Sequence, residues 1–352
     1  MDQPVNQERL LQIISGQDHS VFAGMTRVGL RVPELAYRIA ISARNRLFDL
    51  GLRSVVPLAA PTISVGNLTT GGTGKTPMVA ELARRLLQMG HRPVVLVRGY
   101  GDGDEAAELH SVLNGSAPVL SNPNRVLSAQ QALKQLSTDD SVVFLLDDAF
   151  QHRQVARNLD VVLIDATLPF GYGSLLPRGL LREPTSNLCR ADAIIVTRAD
   201  QASPERLEEL DDRIADLNGT PPIAHLTYRW GGIEQLEDQT VVGACGIGNP
   251  MAFQWMLDGY AGRVLRCEVF KDHHPYTATQ VRDLLRRARA DGATTVVTTG
   301  KDWMKWRKFD PEKMEPTISI VRPQLIVHFL DGGDAIHALL RKVANAGRFG
   351  GQ

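Results

Sequence analysis

The side chains best suited to chemistry lie in the run GNLTTGGTGKTP at residues 66 to 77. Thr69, Thr70, Gly71, Gly72, Thr73, Gly74, Lys75 and Thr76 have the spacing of a phosphate-binding loop. In such a loop the glycines let backbone amides come close to phosphate oxygens. A lysine at position 75 then reaches the β- and γ-phosphates, and a threonine at 76 ligates Mg²⁺. The GxxxxGK[ST] pattern is met except that Thr69 fills the first glycine position. A carboxylate must order the metal and its waters, and VVFLLDDAFQH offers Asp147 and Asp148 directly after five apolar residues. Paired aspartates in that place also serve as a solvated turn or a helix cap. A second run, VVLID, ends in Asp165, and spacing alone does not separate the two candidates.

A phosphate loop works only between a strand and a helix. TISV at 62–65 precedes it, and a helix is expected to start near Thr76. Further β-branched runs alternate with helical stretches: VVLV at 94–97, APVL at 117–120, VVFLL at 142–146, VVLI at 161–164 and AIIV at 193–196. That alternation predicts an α/β fold of the P-loop NTPase type, a mostly parallel sheet with helices on both faces. The Gly- and charge-rich stretch 229–240 reads as a linker, and strands near 241–246, 263–270, 294–299, 317–321 and 325–329 predict a second, smaller α/β domain. The expected division is therefore 1–53, an N-terminal amphipathic segment; 54–230, the P-loop domain; and 231–352, the smaller domain closing the active-site cleft, ending in a helix near 332–347.

The N-terminal segment carries Val28, Val32, Leu35, Ile39, Ala43, Leu47 and Leu50 at helical spacing, with six arginines against Glu34 and Asp49 over residues 21–53. Such a basic amphipathic helix either lies in a membrane interface or packs on the domain core. Pro33 is expected to start or kink it. No apolar stretch of about 20 residues is present to span a bilayer. The polar, acidic start MDQPVNQERL does not fit a cleavable signal peptide. Lys plus Arg equals Asp plus Glu at 39 each, so no global positive field points to nucleic acid as a partner. Nothing in the chain asks for an obligate protein partner. Cys189, Cys245 and Cys267 show no CxxC spacing and read as buried reduced thiols rather than a zinc site or disulfide framework.

The segments GNLTTGGTGKTP, VRGYG, GDE, DDAFQHR, VVLIDA, LLPRGLLREP, ADAIIVTR, ACGIGNP, FKDHHPYT and TTGKDWMKW occur in the order found in tetraacyldisaccharide 4'-kinases. Over roughly residues 55–310 the chain resembles that family. The resemblance implies ATP- and Mg²⁺-dependent phosphorylation of the 4'-hydroxyl of a tetraacylated disaccharide 1-phosphate. The product would be lipid IVA, made by a peripheral or monotopic enzyme on the cytoplasmic face of the bacterial inner membrane. It also implies a membrane surface as partner and a docking role for residues 1–53. A membrane-associated P-loop ATPase switch of the partitioning type is the competing reading, and it needs neither the GDE nor the DHH segment.

The resemblance places the family's acceptor-handling aspartate at Asp104, in GDEA, and its histidine at His273, in KDHHPY, with His274 beside it. A carboxylate held by an imidazole accepts the proton of a sugar hydroxyl as the bond to phosphorus forms. The two are expected from different domains. Read without the family, Asp104 is a helix N-cap before EAAEL, and His273 a turn residue. Ala106 stands where the family has proline, Ala149 where it has glycine, and only Asp102 separates Gly101 from Gly103. Arg98, Arg178 and Arg182 are candidates for binding ATP phosphate or the substrate 1-phosphate, or else surface ion pairs. Lys301 in TTGKD has a similar role or one in closing the cleft.

Overall fold

The computed structural model describes residues 7–99, 104–136, 141–233, 236–272 and 274–346. Twelve strands and twelve α-helices lie along them. The order is α1 (Gln7–Ser15), α2 (Val21–Gly29), α3 (Arg31–Asp49), β1 (Thr62–Asn67), α4 (Lys75–Gln88), β2 (Arg92–Val97), α5 (Asp104–Leu113), β3 (Val119–Ser121), α6 (Arg125–Gln135), β4 (Val142–Asp147), β5 (Leu159–Asp165) and β6 (Ala193–Thr197). Then follow α7 (Pro204–Asn218), β7 (Ala224–Gly231), β8 (Thr240–Cys245), α8 (Pro250–Tyr260), β9 (Arg263–Val269), α9 (Ala278–Ala290), β10 (Thr295–Thr298), α10 (Gly300–Trp306), α11 (Pro311–Met314), β11 (Ser319–Val321), β12 (Gln324–Phe329) and α12 (Gly333–Ala346).

An eight-stranded sheet runs β12-β7-β6-β5-β1-β4-β2-β3, and a four-stranded one β11-β10-β8-β9. Pairings from β3 through to β7 are parallel. The β-branched runs expected to be strands are strands, and β1, β4 and β5 are buried along their whole length. A parallel sheet covered on both faces requires such continuously apolar runs. The expected α/β class is what the chain adopts, and the second sheet is found to be parallel as well.

Two compact units result, one of residues 1–98, 117–227 and 329–352, the other of 99–116 and 228–328. This differs from a single cut near residue 230. The supposed linker begins inside β7, where Trp230 is buried with Phe253 and Tyr260 of the second unit. The strand expected to complete the smaller sheet, β12, joins β7 in the larger one, and α12 returns to α4 through a hydrogen bond from Arg85 to the Gly333 carbonyl. The helix α5, sequentially inside the P-loop half, groups with the second unit. These departures come from tertiary contacts, 23 positions apart for Trp230 and Phe253 and 248 for Arg85 and Gly333, to which local composition is blind.

Among the described residues no helix is long and apolar enough to cross a membrane. Pro33 sits in the first turn of α3, where its missing N–H costs nothing. The outer and inner faces of this helix reverse the usual arrangement. Val32, Leu35 and Ile39 of α3 and Leu50 at its end are 58–75% exposed, joined by Phe22, Met25 and Val28 of α2. The polar side of α3 instead packs on the protein: Glu34 accepts from the Leu175 N–H and pairs with Arg178, the Tyr37 hydroxyl donates to the Arg182 carbonyl, and Arg44 pairs with buried Glu183. Of the three cysteines Cys245 alone is fully buried, and Cys189 is exposed.

Candidate active site

The loop between β1 and α4 is shaped by its glycines, with φ of 122° at Gly71 and 87° at Gly74. Side chains other than glycine rarely adopt such angles. No neighbouring atom lies within 4 Å of where a Cβ on Gly71 or Gly72 would stand, so this stretch of backbone is open to a ligand. Carbonyls are fastened from outside: Arg198 Nη2 donates to the Gly72 carbonyl at 2.8 Å and Thr197 Oγ1 to that of Thr73 at 3.3 Å. Thr70 N–H bonds the Leu180 carbonyl at 2.8 Å, and Thr69 bridges to Leu181. No side chain caps α4 at Gly74, and its second residue is Thr76. An uncapped helix N-terminus following a glycine loop attracts phosphate through its backbone N–H groups and dipole.

Lys75 Nζ lies 3.2 Å from Asn67 Oδ1 and 3.6 Å from Asp148 Oδ1. Arg182 Nη1 is 2.8 Å from both oxygens of the same Asp148 carboxylate. Burial raises the Asp148 pKa, but Lys75 and Arg182 outweigh it and hold the group below the usual carboxylate range. The site therefore presents an ionised carboxylate between two cations at the ends of β1 and β4. Asp165, the rival, is engaged elsewhere, with Arg198 on one oxygen and the Thr167 hydroxyl at 2.7 Å on the other. Geometry thus sets Asp148, the residue after β4, and not Asp165, against Lys75. An ammonium, a threonine hydroxyl, two adjacent carboxylates and an open N-terminus form a donor set that fits ATP with Mg²⁺.

The turn after β4 is held by guanidinium groups. Arg125 donates to the Asp147 carbonyl, Arg157 to those of Ala149, Phe150 and His152, and Arg44 to that of Gln151 at 2.8 Å. Arg125 is 1% exposed, and burial lowers its pKa to about 10. His152 is pushed down to about 4, first by burial and then by Arg125, Arg98, Arg157 and Arg44, so it is neutral at physiological pH. Within this turn the left-handed residue is Asp148, φ 46°, so Ala149 in place of a glycine meets no backbone strain. Asn67, Arg44, Arg125 and Arg157 escaped the sequence analysis, because each acts through a backbone carbonyl or a lysine that no motif records.

Of the three candidate anion-binding arginines, Arg182 joins Lys75 and Asp148, Arg178 is paired with Glu34, and Arg98 is exposed at the end of β2. Asp104 opens α5, its side chain outside the described residues, as is His273. The described residues of segments 99–116 and 228–328 group into one compact unit. His274 stacks edge-on to Tyr276, ring centroids 4.7 Å apart.

Fold and loop together define an α/β protein with a P-loop-type nucleotide site. A family model for tetraacyldisaccharide-1-P 4'-kinase matches residues 26–344, and the chain belongs to that family of ATP-dependent lipid A kinases. It is 36% identical over 342 residues to the tetraacyldisaccharide 4'-kinase of Anaeromyxobacter dehalogenans strain 2CP-C, covering 88% of this chain and 89% of that one. Identity to the tetraacyldisaccharide 4'-kinase of Halothermothrix orenii is 31% over 346 residues, 86% and 89% of the two chains. In fold it is similar to the ATP-bound LpxK of Aquifex aeolicus, with a TM-score of 0.69 and 24% identity over 90% of this chain and 99% of that one.

Proposed function

We propose that the chain transfers the γ-phosphoryl group of ATP to the 4'-hydroxyl of tetraacyldisaccharide 1-phosphate, forming lipid IVA at the cytoplasmic face of the inner membrane. The observation that carries this reading is Lys75 facing the Asp148 carboxylate under a glycine loop, with Arg182 on the far side. Bound Mg²⁺ supplies charge neutralisation for the transferring phosphoryl group. Thr76 and the carboxylates of Asp147 and Asp148 are suited to hold it. Lys75, and Arg182 once exchanged from Asp148 to phosphate, stabilise negative charge on the transferred group. Asp104, oriented by His273, accepts the proton of the attacking hydroxyl as the bond to phosphorus forms and that to the leaving oxygen breaks.

The outward apolar face of α2 and α3, with Arg31, Arg38 and Arg46 exposed on α3, suits the headgroup region of an anionic bilayer, where an acylated acceptor resides. The test is transfer of labelled γ-phosphate to tetraacyldisaccharide 1-phosphate in mixed micelles with Mg²⁺. Labelled lipid made by the wild type and not by Lys75→Ala supports the reading. Hydrolysis of ATP with no labelled lipid would instead favour a P-loop ATPase switch.

A further inference from the structure

The motifs TTGKDW and ACGIGNP have no part in the proposed chemistry, yet they meet at one carboxylate. Asp302 is fully buried in α10 and accepts three hydrogen bonds. One comes from the Gly246 N–H at 2.9 Å, one from the Thr299 hydroxyl at 2.6 Å, and one from the Tyr276 hydroxyl at 3.0 Å. The loops after β8, β9 and β10 are thereby tied to a single group. Gly246 is required there: a Cβ would stand 2.9 Å from the Tyr276 hydroxyl and 3.0 Å from Asp302 Oδ1 and the Lys271 carbonyl. Burial and the Asp302 charge raise the Tyr276 pKa, so its hydroxyl remains a donor. Tyr276 also packs edge-on against the Trp306 ring of α10, at 5.5 Å.

The residue before Asp302 reaches the other way. Lys301 Nζ lies 3.7 Å from Glu108 Oε2. Glu108 is one helical turn after Asp104 on α5, and Tyr276 is three positions after His273. Consecutive residues of one short helix thus grip the element carrying each half of the acceptor base. We propose that Lys301 and Asp302 are positioning residues for phosphoryl transfer, Lys301 aligning the Asp104 helix through Glu108 and Asp302 aligning the histidine loop through Tyr276 and Gly246. This rests on the reading of Asp104 and His273 as the proton acceptor and its partner. Alignment of the elements that carry such a pair matters because misplacement by about 1 Å costs on the order of 10²-fold in rate.

The experiment measures kcat and the KM for ATP in the full-length chain for Lys301→Met, Lys301→Arg, Tyr276→Phe and Asp302→Asn, with unfolding midpoints alongside. Lys301→Met is also combined with Asp104→Asn. Expected are a fall in kcat of about tenfold for Lys301→Met at unchanged KM for ATP, recovery in Lys301→Arg, and no further loss when Lys301→Met is added to Asp104→Asn. Tyr276→Phe removes one of the three bonds to Asp302, keeps those from Gly246 and Thr299 and lowers kcat in the same manner, which keeps the test decisive where Asp302→Asn fails to fold. A raised KM for ATP at full kcat would make Lys301 a nucleotide ligand and overturn the proposal, as would losses that multiply in the double variant. Asp104→Asn at the wild-type rate would remove the base assignment itself. An inactive Asp104→Asn beside a fully active Lys301→Met would remove the positioning role alone.

Discussion

Replacing Leu35 and Ile39 with glutamine tests whether the outer face of α3 docks on a membrane. Both residues are about three-fifths exposed, at 58% and 61%, and neither contributes to a buried cluster. Fully burying such a side chain returns about 1.5–3 kcal/mol, so covering their exposed portions in an interface returns roughly 1–1.5 kcal/mol each. Glutamine is a good helix former, so α3 itself is retained. Losing two such terms, about 2–3 kcal/mol together, weakens partitioning by roughly 30- to 150-fold. Co-sedimentation with vesicles containing anionic phospholipid measures the partition coefficient directly. Transfer to substrate dispersed in excess detergent checks that the catalytic site is intact, and kcat there is expected to stay within about twofold. An unchanged partition coefficient would refute the docking role and point to another surface. A loss of kcat in detergent with partitioning intact would mean that the outer face serves the site rather than the bilayer.

Asp104→Ala is expected to lower turnover by about 10²- to 10⁴-fold while ATP binding persists, as read by nucleotide titration beside the transfer assay; unchanged turnover removes Asp104 from the mechanism. Gly66→Ala would set a Cβ 2.6 Å from the backbone nitrogen and Cβ of buried Phe150. A destabilisation of about 1–3 kcal/mol in denaturant unfolding follows, and an unchanged midpoint would refute the close approach. His225 is partly buried, which lowers its pKa, but hydrogen bonds to Asp211 and Asp331 win and raise it above the ordinary value near 6.5. Its stabilising contribution is therefore full below about pH 6.5 and fades as pH rises through the raised value. The gap in unfolding midpoint between wild type and His225→Gln should be wider at pH 6 than at pH 9, and a gap independent of pH contradicts the ion pair.

The strands and the phosphate loop were readable because each is local: a β-branched run, or a glycine spacing between a strand and a helix. The choice between Asp148 and Asp165 was not, because β4 and β5 both flank β1 and either carboxylate follows an apolar strand. Only the placement of Arg198 on Asp165 and of Lys75 on Asp148 separates them. The outward apolar stripe of α3 was equally hidden. A periodicity of 3.6 shows that one face is apolar and does not say which face meets the protein. Glu34, Tyr37 and Arg44 decided that, through partners more than a hundred residues away. The grouping of α5 with the second unit likewise rests on tertiary contact, since its sequence is an ordinary short helix.

Because Arg44 of α3 supports the carbonyl of Gln151, and Tyr37 that of Arg182, the N-terminal helix buttresses the turn that carries Asp148, apart from the docking role proposed for its outer face. Shortening the chain to gain solubility would therefore withdraw two supports from the residues flanking Asp148. Loss of activity in such a truncated protein would say nothing about lipid access. Polar replacements confined to the outer stripe keep the buttress and change only the exposed face, and so test the proposed docking apart from the support.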